Sequence, residues 1–276
     1  MSIFRVFYYF MKWLLFISPK RLLFSSLMRR SFTVPPLGVF LVRSMVGPLF
    51  VHGARALAYV GAFEKDVLQT AKCLFKKYGP GLFVDVGAYV GLYSVLAAKF
   101  GWRVLAFEPN PLSLLLLKYN LLMNRVNNLV LVVNKAVGDR EGIVTFRLGM
   151  SPSESSLTKF LSEDRVGGIV RVEIVPLDVV LEEARIYELL VMKIDVEGAG
   201  FEVLKGALKS IKTYRPYIIF EVHKGSDEVK EFLALALLKH LSYRFMVLEW
   251  RSHNNFIVLA YPQERGCPCC KRKKST

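Results

Sequence analysis

Five short, almost wholly apolar runs alternate with helical patterns along the middle of the chain, and this alternation restricts the fold more than any other feature. The runs lie at 82–86, 103–107, 129–133, 190–194 and 217–220, with helical patterns at 92–99, 111–123, 201–211 and 227–240. Strands that are apolar on both faces belong to parallel sheets covered on both sides. Strand–helix alternation then predicts a doubly wound α/β sheet with right-handed crossovers. Two more strand patterns, 245–248 and 256–260, are joined by too few residues for a helix and should pair antiparallel. Segments 142–148 and 169–175 read as an inserted β-hairpin, separated by a polar Ser/Glu-rich stretch. An amphipathic helix at 64–77, with Val67, Leu68, Ala71, Leu74 and Phe75 on one side, precedes the first of these strands and stops at Gly79-Pro80-Gly81.

The chemistry concentrates where strands end. The run Phe83-Val84-Asp85-Val86-Gly87-Ala88-Tyr89-Val90-Gly91-Leu92-Tyr93-Ser94 passes from a buried strand through a glycine turn into a helix. Ligands of open sheets bind at such carboxyl ends. The spacing is Gly-x-x-x-Gly, not the Gly-x-Gly-x-x-Gly of dinucleotide sites, which disfavours a nicotinamide oxidoreductase. Asp85 at the strand end suits an ammonium and sulfonium ligand such as S-adenosylmethionine (SAM) better than a pyrophosphate. The next strand ends in Glu108-Pro109-Asn110, and an acid there can accept hydrogen bonds from both hydroxyls of a ribose. The third strand runs into Ala136 and Val137, whose backbone groups would lie beside an adenine. The fourth and fifth strands deliver Asp195, Glu197, Glu221 and His223 to the same edge. A hydroxyl attacking a methyl group must shed its proton, and a carboxylate or imidazole nearby can take it. Asp195 is the first choice for that base, followed by Glu197 and His223. The plainer alternatives are a solvated turn residue for Glu197 and a hydrogen-bonded strand-end histidine for His223. The cluster could also hold a divalent cation through oxygen and imidazole ligands, but no spacing enforces one, and no metal is expected.

Charge is placed at the ends. Of a net +15, residues 1–63 carry eight basic residues and no acid, and 264–276 carry five basic residues against one acid, so the body is close to neutral. Residues 3–17 form an apolar, aromatic helical pattern with Arg5, Tyr8, Tyr9 and Lys12 on one stripe. Lys12 interrupts it too early for a span of about 20 apolar residues. Residues 3–30 therefore suit a membrane surface, or packing on the chain itself or a partner, better than a crossing. Cys73 stands alone, and Cys267, Cys269 and Cys270 crowd near the end without a disulfide framework, which points to a reducing, cytoplasmic setting with peripheral membrane contact.

Taken together, FVDVGAYVGLYS, FEPNP, KAVGDREG, Ser155-Ser156-Leu157, PLDVVL, KIDVEGAGFEVLKGA and RPYIIFEVH resemble the FkbM-type methyltransferases, over about residues 64–261. The resemblance implies a seven-stranded class I methyltransferase sheet, SAM as methyl donor, and O-methylation of a small-molecule or glycan hydroxyl. By the same resemblance Asp85, Gly87 and Gly91 serve cofactor binding, Glu108 the ribose, and Asp195 and Glu197 the active centre. Ala88, Tyr93, Pro109 and Asn110 flank these positions and complete the expected cofactor site. Tyr89 stands where the family commonly has Asn, and Gly200 where it often has an acid. The expected organisation is a basic, apolar, helical appendage at 1–63, a methyltransferase domain at 64–262 and a Cys-containing tail at 263–276. An RNA methyltransferase with basic arms is an alternative, disfavoured by the neutral body and by the absence of an Asn-Pro-Pro-Tyr-like motif. A non-catalytic SAM-binding scaffold held at a membrane is another, disfavoured by the retained acids.

Overall fold

The computed structural model describes residues 39–44, 47–52, 65–149, 166–185, 190–223, 228–251 and 255–268. Helix α1 (Lys65–Tyr78) carries Asp66 in its first turn and Lys76 and Lys77 in its last, each matched to the helix dipole. It buries Val67, Leu68, Ala71, Leu74 and Phe75, the side expected from the pattern. Strand β3 (Leu82–Val86) is buried at every position and leads into α2 (Leu92–Lys99). Strand β4 (Arg103–Phe107) leads into α3 (Pro111–Met123). The start of α3 follows from its sequence. Asn110 accepts a hydrogen bond from the Leu112 amide at 2.9 Å, and Pro111 occupies the first helical position, where no amide is needed.

Strands β5 (Val130–Val133), β9 (Val191–Ile194), β10 (Tyr217–His223), β11 (Tyr243–Trp250) and β12 (Asn255–Pro262) complete a seven-stranded sheet. Its order is β11-β12-β10-β9-β3-β4-β5, parallel except that β12 is antiparallel to both of its neighbours. This is the mostly parallel, doubly wound sheet expected from the sequence. From β3 the chain proceeds outward through β4 and β5, then returns to build β9 and β10 on the other side. The order reverses between β3 and β9, which makes that gap the topological switch point. Helices α1, α2 and α3 cover one face through Phe75, Leu96 and Leu117. The other face is covered by α4 (Leu177–Glu183), α5 (Gly200–Gly206), α6 (Leu208–Tyr214) and α7 (Glu228–His240), through Leu181, Leu204, Ile211 and Leu238. Each such Leu or Phe removed from water stabilises the fold by about 1.5–3 kcal/mol.

The structure refines several expectations. The inserted hairpin consists of β7 (Gly142–Gly149) and β8 (Val166–Val175), but β6 (Ala136–Val137) adds to β8 in parallel and makes a three-stranded sheet. PLDVVL, given no element at first, forms α4. The single helix expected at 201–211 is two helices, α5 and α6, meeting at Ala207. The reason is Asp178 of α4, whose carboxylate accepts from the Lys209 and Ser210 amides, both at 2.8 Å, and thereby starts α6. Gly206 belongs to LKGA and Gly138 to KAVGD. A Cβ at Gly206 would lie 1.8 Å from the Gly138 carbonyl oxygen, so these two motifs meet as a close backbone contact.

Within the segment read as an appendage, β1 (Val39–Ser44) and β2 (Gly47–His52) pair antiparallel. The 3–30 segment and Ser155-Ser156-Leu157 lie outside the described residues. None of the described helices is long and apolar enough to cross a membrane. The start of the expected tail is packed onto the domain. Arg215 Nε bonds Glu264 at 2.7 Å, and Lys77 Nζ donates to the Pro268 carbonyl at 3.2 Å. Cys267 is disulfide-bonded, where the sequence suggested no disulfide framework.

Candidate active site

The cofactor side of the switch point is shaped by backbone. After β3 the chain turns at Gly87 (φ +80°), Tyr89 (φ 51°) and Gly91 (φ +88°), all in the left-handed region. A Cβ at Gly87 would sit 1.9 Å from the Asp195 carbonyl oxygen, and one at Gly91 would meet Leu117 Cδ1 at 2.4 Å. Both positions thus require glycine for conformation and for space. Tyr89 has no such freedom. Asn enters the left-handed region more readily than Tyr, so Tyr at this position carries backbone strain. That turn aims the Tyr89 amide at Glu108 Oε2, 2.7 Å away, while Glu108 Oε1 accepts from the Asn110 amide at 2.8 Å. Gly87 and Ala88 donate their amides to the Phe107 carbonyl at 3.1 and 2.9 Å, which fixes the loop to the end of β4.

Two carboxylates are buried here. Burial pushes Glu108 up to about 7, against the two amide bonds that favour its charge. Burial likewise raises Asp85, opposed by Lys193 and by the Ser94 hydroxyl, which donates to Asp85 Oδ2 at 2.6 Å. Asp85 Oδ1 is buried without a hydrogen-bond partner. An orphaned carboxylate oxygen, a glycine cradle and a second buried carboxylate at the end of the neighbouring strand fit a ligand with a cationic end and a ribose. Pro109 is half-buried beside Glu108, and Ala88 is buried in the loop. Tyr93 lies under Lys193, whose Nζ is 4.8 Å from the ring centroid. Ala136 and Val137 are buried, and they pair with Ile174 and Val175 of β8.

The other side consists of ionisable side chains. Lys193 Nζ reaches Asp195 Oδ2 at 2.7 Å. His223 Nε2 lies 3.9 Å from Asp195 Oδ1 and 3.6 Å from Glu221 Oε1, and its Nδ1 lies 3.3 Å from Glu197 Oε2. Arg251, just beyond β11, bonds Glu221 Oε1 through a terminal guanidinium nitrogen at 2.8 Å. Asn255 Nδ2 stands 3.4 Å from His223 Nδ1. All four acid–base residues expected from the sequence are therefore within one network. Burial would raise Asp195, but Lys193 and His223 hold it well below the usual carboxylate range. Burial disfavours the charge on His223, yet Asp195, Glu197 and Glu221 raise it to about 9. Glu221 is pushed well above its ordinary value, by burial first and then by the Asp195 charge.

Among the described residues, Asp195, Glu221 and His223 bring potential metal-ligand atoms within 4.8 Å of one another. Asp195 is bonded to Lys193, and Glu221 to Arg251. At Gly200 a Cβ would meet the Phe220 ring at 2.5 Å, so any acid at this position would displace that ring.

Sequence reasoning assigned no role to Lys193, Ser94, Arg251 or Asn255. A lysine inside a run of buried strand residues was a usable signal, because a lysine is almost never buried unpaired. Arg251 and Asn255 offered none, because only the antiparallel return of β12 brings them to this edge.

The seven-stranded order, with its glycine loop at the end of β3, is the class I methyltransferase type of fold. More particularly, residues 85–245 match the methyltransferase FkbM domain, and the chain belongs to that family. Among characterised proteins it is similar to the hexuronic acid methyltransferase AglP of Haloferax volcanii, 28% identical over 156 residues. The match covers 56% of this chain and 62% of AglP, so the chain spans less than two thirds of that relative. Among solved structures it is similar to methyltransferase FkbM from Methylobacillus flagellatus KT, with 17% identity, a TM-score of 0.47, and 76% and 60% of the two chains covered. It is also similar to the O-methyltransferase from Bacillus cereus in complex with SAH, with 16% identity, a TM-score of 0.43, and 71% and 78% covered.

Proposed function

We propose that this protein O-methylates a sugar, with a hydroxyl of a glycan or lipid-linked glycan as the acceptor. The observation that carries the reading is His223, a buried imidazole at the switch-point edge surrounded by three carboxylates. The hexuronic acid named for AglP supports a sugar acceptor. Asp85 and Glu108 hold the two ends of SAM, with the Gly87–Gly91 loop shaped around it. When bound, SAM supplies an electrophilic methyl group on a sulfonium.

The chain's own residues must align the acceptor oxygen and remove its proton. Asp195, held ionised by Lys193 and His223, is too weak a base to take a hydroxyl proton. His223 is the stronger acceptor once it has released its own proton. Asp195 and Glu197 then stabilise the imidazolium that forms and keep the ring oriented. This arrangement makes a pH signature. At saturating SAM, kcat should rise about tenfold per pH unit below pH 9 and level off above it, and His223→Gln should lower the rate about 10²- to 10⁴-fold.

The test is transfer of a labelled methyl group to uronosyl oligosaccharides between pH 6 and 10. A rise to a plateau near pH 9 supports a hydroxyl acceptor. A flat profile with an alkali-labile methyl ester as product overturns it in favour of the sugar carboxylate, an oxygen that needs no base.

A further inference from the structure

Helix α3 is apolar on two sides. Its inner side buries Leu116, Leu117 and Leu121 against the sheet. Its outer side carries Leu115, Tyr119, Leu122 and Met123, which recur at helical spacing and share one arc. All four are exposed, Leu115 and Leu122 at 60% each. A helix covered on one side only ordinarily turns charged and polar residues outward, and one that is apolar on both sides needs a second cover.

Charge indicates what that cover is. Residues 109–138 contain no acid, while Lys118 is exposed on the outer arc and Arg125 is exposed just past the helix end. The N-terminal part of the chain arrives on the same side. Strand β2 lies beside α3, and residues 1–38, which lead into the β1–β2 pair, carry six basic residues and no acid. Leucines and a tyrosine flanked by Lys and Arg match the boundary of an anionic bilayer. The aliphatic side chains enter the acyl region, the tyrosine sits at headgroup level and the bases meet anionic lipid. A second copy of the chain would instead set like charges against each other in a two-fold contact. The contrast with α7 is instructive. It too exposes Val229, Phe232 and Leu233, but on the other face of the sheet, and its sequence mixes acids with bases.

We propose that the outer side of α3 is a membrane-docking face for an anionic lipid bilayer. Asn110, the cap of α3, follows closely on the strand end that carries Glu108. Docking through α3 sets that rim of the sheet beside the bilayer. The placement serves the lipid-linked acceptor of the reading above, but the docking face does not depend on it.

The test is co-sedimentation of the full chain with vesicles of phosphatidylcholine, alone or with added phosphatidylglycerol. The wild-type chain should bind the anionic vesicles. Leu115→Ser combined with Leu122→Ser should weaken that binding about tenfold or more. Lys118→Gln combined with Arg125→Asn should weaken it about tenfold. Both pairs should leave thermal stability unchanged and SAM affinity within about twofold. Wild-type binding that neither pair weakens, or no binding at all, overturns the proposal. So does a marked fall in thermal stability of the leucine pair, which would assign the face to the chain's own N-terminal residues. A wild-type dimer that the leucine pair dissociates would assign it to a second copy, and overturns it as well. Vesicle binding needs neither acceptor nor turnover, so its failure and the failure of the methylation reading are separate results.

Discussion

Between β3 and β5, the edge of the sheet presents amides and two buried acids. Between β9 and β12, it presents a closed set of ion pairs. The first side is shaped by conformation: the left-handed turns at Gly87, Tyr89 and Gly91, and the amides of Tyr89 and Asn110 on Glu108. The second side is shaped by charge: Lys193 on Asp195, Arg251 on Glu221, and three carboxylates around His223. A cofactor common to a family suits a rigid backbone cradle, which side-chain substitution hardly alters. Proton transfer needs groups whose pKa values are set against one another, and only side chains supply that. The two sides meet at Gly87, where the loop rests on the Asp195 carbonyl, and at the bond from the Asp195 amide to the Val86 carbonyl at 3.0 Å.

That junction is where the comparison breaks most readily. Gly87→Ala places a methyl group on the Asp195 backbone and forbids the required φ. We expect a loss of about 3 kcal/mol or more in denaturant unfolding, or failure to fold, with SAM binding and turnover lost together. If the variant lost only one of the two functions, the sides would be mechanically independent.

A smaller effect concerns the cofactor side alone. Glu108 has a folded-state pKa of about 7, above its unfolded value of 4.5. Its contribution to stability is therefore full below about pH 4.5 and is lost as pH rises through 7. Cofactor affinity runs the other way, because ribose hydroxyls donate to the ionised form. SAM affinity should weaken up to about tenfold per unit as pH falls below 7, with proton release on binding. Calorimetry in buffers of different ionisation heat measures both. Glu108→Gln should flatten the dependence and weaken binding about 10- to 100-fold, since the amide cannot accept both backbone N–H bonds. A pH dependence that survives in Glu108→Gln would assign the titration to another group.

The smallest effect sharpens the conformational argument. Tyr89→Asn should stabilise the fold by about 1 kcal/mol by relieving the left-handed strain, with the Glu108 contact intact. Destabilisation would mean that the Tyr89 side chain contributes more than its backbone costs.

The same contrast explains what could be read in the sequence. A strand, a glycine turn and a helix leave a contiguous signature, so the β3–α2 loop, Glu108 and the Asn110 cap were legible. So was the parallel sheet, from apolar runs covered on both faces. The ion-pair network was legible only in part. Asp195, Glu197, Glu221 and His223 follow strand ends, but their partners Arg251 and Asn255 come from a corner defined by the β10–β12 register. The break between α5 and α6 was hidden for a similar reason: a distant acid, Asp178, makes it. Gly138 and Gly206 show motif residues whose role is packing, and no local pattern separates such glycines from those that cradle a ligand.

The reversal of β12 has a consequence for how such enzymes diverge. It brings Arg251 and Asn255 to the edge that holds Glu221 and His223, away from the glycine loop. On the proposed reading, substitution at Arg251 or Asn255 would change which molecule is presented to His223 while the glycine cradle stays intact. A change of acceptor would then require no change in the β3–β4 loop, because the two sides touch only through the backbone at Gly87, Val86 and Asp195.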